Sequence, residues 1–347
     1  MDKFVYMTVP AVAAFLAFLA AMIAGRFIIP KLHKLKFGQT ILDLGPTWHK
    51  NKQGTPTMGG VIFIFGFLVV LVLALAVCEW WLPLKPLSGS NLKEAFALES
   101  GGRVRMIAGV VMALCCGAIG FADDYIKVVK KRNLGLTSLQ KMALQLLVGV
   151  GYALVMYYLG NASVIHVPFV GEVDLGWWFI PLCVFFVVGM SNATNLTDGI
   201  DGLCGSVTVV AMLCITVVSF ATEAFGNSLI SMTFTGAMAG FLVWNLHPAK
   251  VFMGDTGSLL IGGMLCALTF SIRQPLLLIP VGIMYIVETV SVMLQVSYFK
   301  LTHGKRLFKM SPIHHHFEMC GWSENKIVVV FCAVTAVCGI AAVPMVT

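Results

Sequence analysis

GGVIFIFGFLVVLVLALAVC, residues 59–78, contains no charged side chain. A helix needs roughly 20 apolar residues to cross the hydrocarbon core of a bilayer. A soluble helix of that length would keep a polar stripe for water, and this one has none. The stretch therefore reads as a membrane span. Similar runs recur along the chain, and their spacing predicts spans over 5–29, 59–78, 104–122, 140–159, 177–191, 203–222, 229–246, 257–272, 276–299 and 327–346. The fold class expected is an all-α integral membrane protein of about ten transmembrane helices. Residues 1–347 are expected to form a single polytopic membrane domain.

Composition agrees with this reading. The chain is 59% hydrophobic and only 11% charged, with a mean hydropathy of +0.90, which excludes the two soluble domains its length would otherwise suggest. The first run is longer than the apolar core of a secretory signal and leads into Lys31, Lys34 and Lys36 rather than a small-residue cleavage site, so it reads as a span. Cys78, Cys115, Cys116, Cys183, Cys214, Cys266, Cys332 and Cys338 lie in or beside apolar runs, and no CxxC occurs. They read as small packing residues rather than disulfides or metal ligands.

Positive charge sets the orientation. The connections after odd-numbered spans hold Lys31, Lys34, Lys36, Lys50, Lys52, Lys127, Lys130, Lys131, Arg132, Lys141, Lys250, Lys300, Lys305, Arg306, Lys309 and Lys326, most of the 23 basic residues. The opposite side holds Lys3, Lys85, Lys93, Arg103, Arg105 and Arg273. By the positive-inside rule the first set is cytoplasmic and both termini are periplasmic. A basic surface beside anionic lipid accounts for the net charge of +7, so no nucleic-acid partner is implied. On the outer side, VIHVPFVGEVDLG (164–176) alternates like a short hairpin.

Four polar strings stand out: FADDYIK (121–127), SNATNLTDGIDGL (191–203), VFMGDTGS (251–258) and SPIHHHFE (311–318). They follow the third, fifth, seventh and ninth runs, so an even number of crossings separates them and all four face one cytoplasmic cleft. Asp123, Asp124, Asp198, Asp201 and Asp255 are the carboxylates that abut apolar helices. Gathered at a partly dry border they would repel by several kcal/mol per close pair, so a cation is required. Lys127, four residues from Asp123, supplies part of that charge. Oxygen donors from Asp and Asn suit a hard divalent cation, Mg²⁺ or Mn²⁺, that bridges carboxylates to a phosphorylated ligand.

Each string also has a plainer reading. Asp123 and Asp124 could be a solvated helix end, although acids at a C-terminus oppose the helix dipole. Asn195, Asp198 and Asp201 are spaced by three, so a helical turn would present them on one side. In GDTGS, Asp255 or Thr256 could simply cap a helix whose free amides attract an anion. His314, His315 and His316 are adjacent and cannot easily share one tetrahedral zinc; they fit donation to a phosphate oxygen or proton transfer, with loop polarity as the alternative. Glu288, in the middle of the ninth run, should face the bundle interior, protonated or paired. Gln295, two turns further toward the cytoplasm, is the better ligand contact, and Phe252 either stacks on a base or packs at the interface.

The four strings, in this order and on this face, resemble the polyprenyl-phosphate N-acetylhexosamine-1-phosphate transferases, from PTMGG (56–60) through HHHFE (314–318). SPIHHHFE is similar to the branch that uses a muramoyl-pentapeptide nucleotide. The resemblance implies transfer of phospho-N-acetylmuramoyl-pentapeptide from UDP-MurNAc-pentapeptide to undecaprenyl phosphate, giving lipid I and UMP at the bacterial inner membrane. It implies Asp123, Asp124 and Asp255 as essential acids and His314 as a further catalytic residue. Asp255, with Asn195 as an additional ligand, is implied to hold Mg²⁺. Asn192, Asn195, Asp198 and Asp201 are implied to shape the nucleotide and sugar pocket, with Phe252 near uracil. Binding roles follow for Lys127, Lys141, Asn245, Gln295, His315 and His316, as do membrane lipid and a homodimer as partners. Direct displacement assisted by Asp123 and double displacement through an aspartyl intermediate both stay open.

Two rivals remain on the sequence. A secondary transporter would carry ionisable residues near the bilayer midplane and repeated halves, whereas here most acids sit at one edge. A sister transferase would run the same chemistry on another UDP-sugar.

Overall fold

The computed structural model describes residues 3–34, 54–80, 101–129 and 135–345. Lys36, Lys50, Lys52, Lys85, Lys93, Lys130, Lys131 and Arg132, used above to orient the chain, lie outside the described residues. The long helices are α1 (Lys3–Lys34), α2 (Gly60–Trp80), α3 (Gly102–Val129), α4 (Ser138–Tyr158), α5 (Phe179–Thr197), α6 (Leu203–Ala221), α7 (Phe225–Asn245) and α8 (Gly254–Ser271). A short α9 (Leu278–Val281), α10 (Ile283–Leu301), a short α11 (Ile313–Met319) and α12 (Glu324–Ala341) follow. The expected hairpin is present as β1 (Val164–Val167) paired antiparallel with β2 (Gly171–Asp174).

Among the described residues, eight helices are long and apolar enough to cross a membrane, or nine if the segments Pro275–Val281 and Ile283–Leu301 form one span. The protein is thus a multi-pass, helical membrane protein. Two features of the expected pattern differ. The run at 276–299 is a continuous span on paper, but the chain bends by 79° between Val281 and Ile283. Pro275 and Pro280 each remove a backbone donor, and Gly282 follows the second. The run at 257–272 is α8, whose first turn carries Asp255 and whose glycines dilute its apolarity; α8 is not among those eight or nine.

α8 is the post around which the bundle is built. Every residue from Thr256 to Ser271 is buried. α3 packs along it on one side and α5 on another, while α2 and α7 also touch it. In lipid the hydrophobic effect does not draw helices together, so close packing of small residues and polar contacts must do so. At the end of α8 the buried Arg105 of α3 gives Nε to the Ser271 carbonyl at 3.0 Å and Nη1 to the Gly160 carbonyl at 2.8 Å. These bonds satisfy carbonyls that a helix end would otherwise leave unpaired in an apolar medium. All ten cysteines are free; the eight in or beside apolar runs are buried or half-buried, while Cys320 is exposed.

Candidate active site

α3 does not stop where the membrane run ends but continues to Val129, so Asp123, Asp124 and Lys127 lie on its last two turns. Asp123 and Asp124 are buried, 3% and 2% exposed. Asp123 accepts the Leu136 amide on Oδ1 at 2.7 Å, and its Oδ2 lies 2.6 Å from Lys127 Nζ. The i,i+4 spacing of this pair on one helix makes that contact local.

Asp124 does something the sequence did not predict. Neither Asp255 nor Thr256 caps α8; the N-cap position is Met253, which makes no side-chain cap bond. Instead Asp124 Oδ2 accepts both the Thr256 amide at 2.9 Å and the Thr256 hydroxyl at 2.8 Å. The anion drawn to this helix N-terminus is a carboxylate from the neighbouring helix. Gly254, at φ +74, allows the approach: a Cβ there would sit 2.7 Å from Asp124 Oδ2.

Asp255 is then free to face the cluster. Its Oδ2 is 3.1 Å from Lys127 Nζ and 3.0 Å from Lys141 Nζ, and its Oδ1 accepts Asn195 Nδ2 at 2.8 Å. Asn195 Nδ2 also reaches Ser258 Oγ at 2.9 Å, while its Oδ1 accepts Lys141 Nζ at 3.4 Å. Asp123, Asp124 and Asp255 offer ligand atoms that all lie within 4.8 Å of one another. Three carboxylates against two ammonium groups leave a net negative charge at a site built of hard oxygen donors. A divalent cation such as Mg²⁺ or Mn²⁺ fits that donor set.

The TDGIDGL segment departs from expectation. α5 ends at Thr197, Asp198 adopts φ −80 and ψ 56, and Gly202 sits at φ +73, so no helical turn carries Asn195, Asp198 and Asp201 on one side. The glycines at 199 and 202 break the helix before the third member is reached. Asp198 stays near the cluster. Burial pushes its carboxyl up to about 7, with the charges of Asp255 and Asp124 adding to the rise. Asp201 turns the other way: its Oδ2 accepts the Ala249 amide at 3.0 Å and lies 3.0 Å from His247 Nδ1, and its own amide donates to Glu324 Oε2 at 3.0 Å. Asp201, His247 and Glu324 form a second group of close ligand atoms, for which no sequence signal linked the three positions.

The other expected site residues are spread around this centre. Asn192 gives Nδ2 to Gln145 Oε1 at 2.9 Å and to the Val188 carbonyl at 2.8 Å. Asn245 is buried and donates to the Val251 carbonyl at 2.9 Å, shaping the turn that leads into α8. Phe252 is half-buried; its amide donates to the Pro56 carbonyl and its carbonyl accepts the Gly59 amide, both at 2.8 Å, so PTMGG is fastened to VFMGDTGS. Gln295 Oε1 accepts the Phe308 amide at 2.8 Å.

The triple histidine forms α11 rather than a loop, and its members diverge as adjacent residues must. His314 is fully buried, with Nδ1 3.0 Å from Glu288 Oε1, which gives Glu288 the interior partner it required. His315 Nδ1 lies 2.6 Å from Glu318 Oε2. His316 Nδ1 accepts the Lys309 amide at 3.2 Å, and its ring meets Phe308 at 5.6 Å.

Comparison with known proteins bears on this arrangement. The family model described as glycosyl transferase family 4 matches residues 106–273, which hold the acids and lysines of the cluster. A phospho-N-acetylmuramoyl-pentapeptide-transferase signature matches residues 52–64. The phospho-N-acetylmuramoyl-pentapeptide-transferase of Listeria monocytogenes serotype 4b (strain CLIP80459) is 44% identical over 329 residues, 94% of each chain. That of Bacillus mycoides is 44% identical over 324 residues, 93% of each chain, and that of Clostridium perfringens (strain 13 / Type A) 44% over 327 residues, covering 94% of this chain and 95% of its own. Identity at this level over nearly the whole length places the chain in the phospho-N-acetylmuramoyl-pentapeptide-transferase family.

Proposed function

We propose that the chain transfers phospho-N-acetylmuramoyl-pentapeptide from UDP-MurNAc-pentapeptide to undecaprenyl phosphate, releasing UMP and forming lipid I. The observation that carries this reading is the convergence of Asp123, Asp124 and Asp255, with Lys127 and Lys141, in a chain 44% identical to enzymes of that name. The reaction moves a phosphoryl group between two anionic partners, so positioning and electrostatic compensation are the main tasks of the protein.

Asp255, with Asn195 beside it, would hold the divalent cation. When bound, that ion neutralises the pyrophosphate and stabilises charge on departing UMP. Lys127 and Lys141 supply two positive charges at the same carboxylate, within reach of an incoming phosphate. Asp123, whose Oδ2 lies beside Lys127 Nζ, serves to align the acceptor phosphate and take its proton. Asp124 is spent on α8, since both hydrogen bonds from Thr256 fall on it. Asp198, Asn192, Asn245 and Phe252 line the approach for the nucleotide sugar, and Gln295, His315 and His316 shape the lip formed by the segment before α11.

The site faces the cytoplasm, both termini lie outside, and the whole chain acts as one polytopic domain of the inner membrane. Ten crossings follow when the bent pair counts as one span and α8 as another. What supports this orientation is the basic bias of the described residues Lys31, Lys34, Lys127, Lys141, Lys250, Lys300, Lys305, Arg306, Lys309 and Lys326. A polyprenyl phosphate then presents its headgroup at the cleft with its tail in lipid, while the water-soluble nucleotide enters from the cytosol.

The deciding experiment incubates purified protein with undecaprenyl phosphate, Mg²⁺ and competing UDP-sugars and measures UMP release. Turnover with UDP-MurNAc-pentapeptide is expected. Turnover with UDP-GlcNAc alone would transfer the chain to a sister reaction.

A further inference from the structure

The transfer reaction as described leaves Glu288 and His314 without a task. Neither side chain has any solvent exposure, and their one mutual contact is the 3.0 Å approach of Nδ1 to Oε1. Among the described residues, the remaining heteroatoms, Glu288 Oε2 and His314 Nε2, are buried without a partner. Leaving two such atoms unpaired costs about 1–3 kcal/mol each, so the arrangement is retained against a penalty. The position of the ring accounts for it. A Cβ on Gly199 would lie 2.2 Å from His314 Nε2 and 2.6 Å from Cε1, so the imidazole edge rests directly on the backbone of the TDGIDGL turn. Asp198, the residue before that glycine, accepts a hydrogen bond from the Gly254 backbone at the start of α8.

We propose that Glu288 is a positioning residue: it locks the rotation of the His314 ring, and the locked ring holds Gly199 and Asp198 against the N-terminus of α8. Whichever partner carries the proton, one Nδ1 to Oε1 hydrogen bond fixes the ring, because an imidazole with one nitrogen anchored has no second low-energy orientation. The control runs from α10 through α11 to the nucleotide pocket, a path of direct contacts. It rests on the transfer reaction proposed above.

Four variants test it in detergent-purified full-length protein. Glu288→Gln keeps an oxygen acceptor in place and should hold kcat/KM within about threefold of wild type. Glu288→Leu keeps the volume and loses the acceptor; KM for UDP-MurNAc-pentapeptide should rise about tenfold or more while kcat changes less than about threefold. Gly199→Ala pushes on the same ring from the loop side, outside the membrane spans, and should raise KM in the same way. A folded Glu288→Leu or Gly199→Ala protein with unchanged KM, or with a fall confined to kcat, overturns the proposal, and so does a Glu288→Gln protein as impaired as the leucine variant. If the wild type fails to use UDP-MurNAc-pentapeptide at all, the proposed reaction is lost, and the positioning claim is judged on stability alone. Melting shifts of Glu288→Leu and Gly199→Ala should then be non-additive in the double variant, and strict additivity would refute coupling through His314.

Discussion

Gly120 on α3 faces the backbone of Asp255, and Gly120→Ala should separate the two helices that carry the acids. A Cβ built at this position lies 2.0 Å from the Asp255 carbonyl oxygen, 2.4 Å from its carbon and 2.7 Å from the Thr256 amide nitrogen. A carbon and a carbonyl oxygen approach comfortably to about 3.3 Å, so α3 and α8 must part by about 1.3 Å at this layer. The obstacle is backbone on both sides, and no side-chain rotation can absorb it. The two bonds from Thr256 to Asp124, now 2.9 and 2.8 Å, would stretch beyond hydrogen-bonding range. A displacement of about 1 Å between reacting groups costs about a hundredfold in rate, and overpacking of this kind costs about 1–3 kcal/mol in stability.

The assay is UMP release per folded molecule, with the melting temperature followed alongside. Two further glycines separate damage to the site from damage to the fold. A Cβ built on Gly236 would lie 1.9 Å from the Ala14 carbonyl oxygen where α1 and α7 cross, so Gly236→Ala should lower the melting temperature like Gly120→Ala yet keep most of the turnover of the molecules that stay folded. Gly151 on α4 has nothing within 4 Å of its Cβ position, and Gly151→Ala should be neutral or slightly stabilising. Gly120→Ala protein that turns over within about threefold of wild type would show that this helix contact does not set the site.

Other expectations follow from the same geometry. Asp255→Ala should abolish turnover and weaken Mg²⁺ dependence while the protein stays folded in detergent; near-normal activity would remove Asp255 from the metal role. Thr256→Val deletes the hydroxyl donor to Asp124 but leaves the amide, so a loss of about 1.5–3 kcal/mol in transition-state stabilisation at most, and a larger loss than that of Ser258→Ala, is expected from kcat/KM. Asp198 titrates near 7 rather than at its ordinary 3.8, so its contribution to stability is complete below pH 3.8 and lost as pH rises through about 7. In EDTA, wild-type melting temperature should fall between pH 5 and pH 8, and Asp198→Asn should fall less; equal slopes would contradict the raised carboxyl. Cys320 is exposed one residue beyond α11, and membrane-impermeant maleimide should modify it in inside-out vesicles but not in right-side-out cells, as read by peptide mass spectrometry.

What the sequence made legible was the membrane class, the helical pattern and the meeting of Asp123, Asp124 and Asp255, because each rests on a strong local signal or on counting crossings. Spacing failed where glycine and proline overrode it. Asn195, Asp198 and Asp201 share a three-residue spacing, yet the chain leaves the helix at Asp198 and sends Asp201 toward His247. The run at 276–299 is apolar throughout its first half, yet it bends after Val281. Which particular side chains bond to one another across the sequence was not readable. No pattern in one sequence says that Asp124 will serve the N-terminus of α8, that Glu324 will take the amide of Asp201, or that Glu288 will find His314 across 26 positions.

The precision of the acid cluster comes from α8 being approached by backbone rather than by long side chains. On α2, a Cβ at Gly60 would lie 2.5 Å from the Gly257 amide nitrogen; at Gly262 of α8 it would lie 2.5 Å from Ser191 Cα of α5. With the Gly120 contact, three helices are thus pinned to α8 through glycines within its first nine residues. Rigid contacts of this kind leave little freedom in the separation of Asp123, Asp124, Asn195 and Asp255, which arrive on α3, α5 and α8. Long polar side chains would set those distances more loosely, since each adds rotatable bonds between backbone and contact. Lys127 and Lys141 are the flexible members, and they are the ones placed to yield when a doubly charged cation and a pyrophosphate enter, because an ammonium on a four-carbon stem can swing away where a helix cannot. The folded protein therefore holds its three acids together before any ligand binds: the helices fix where the carboxylates stand, and the lysines offset the repulsion this creates.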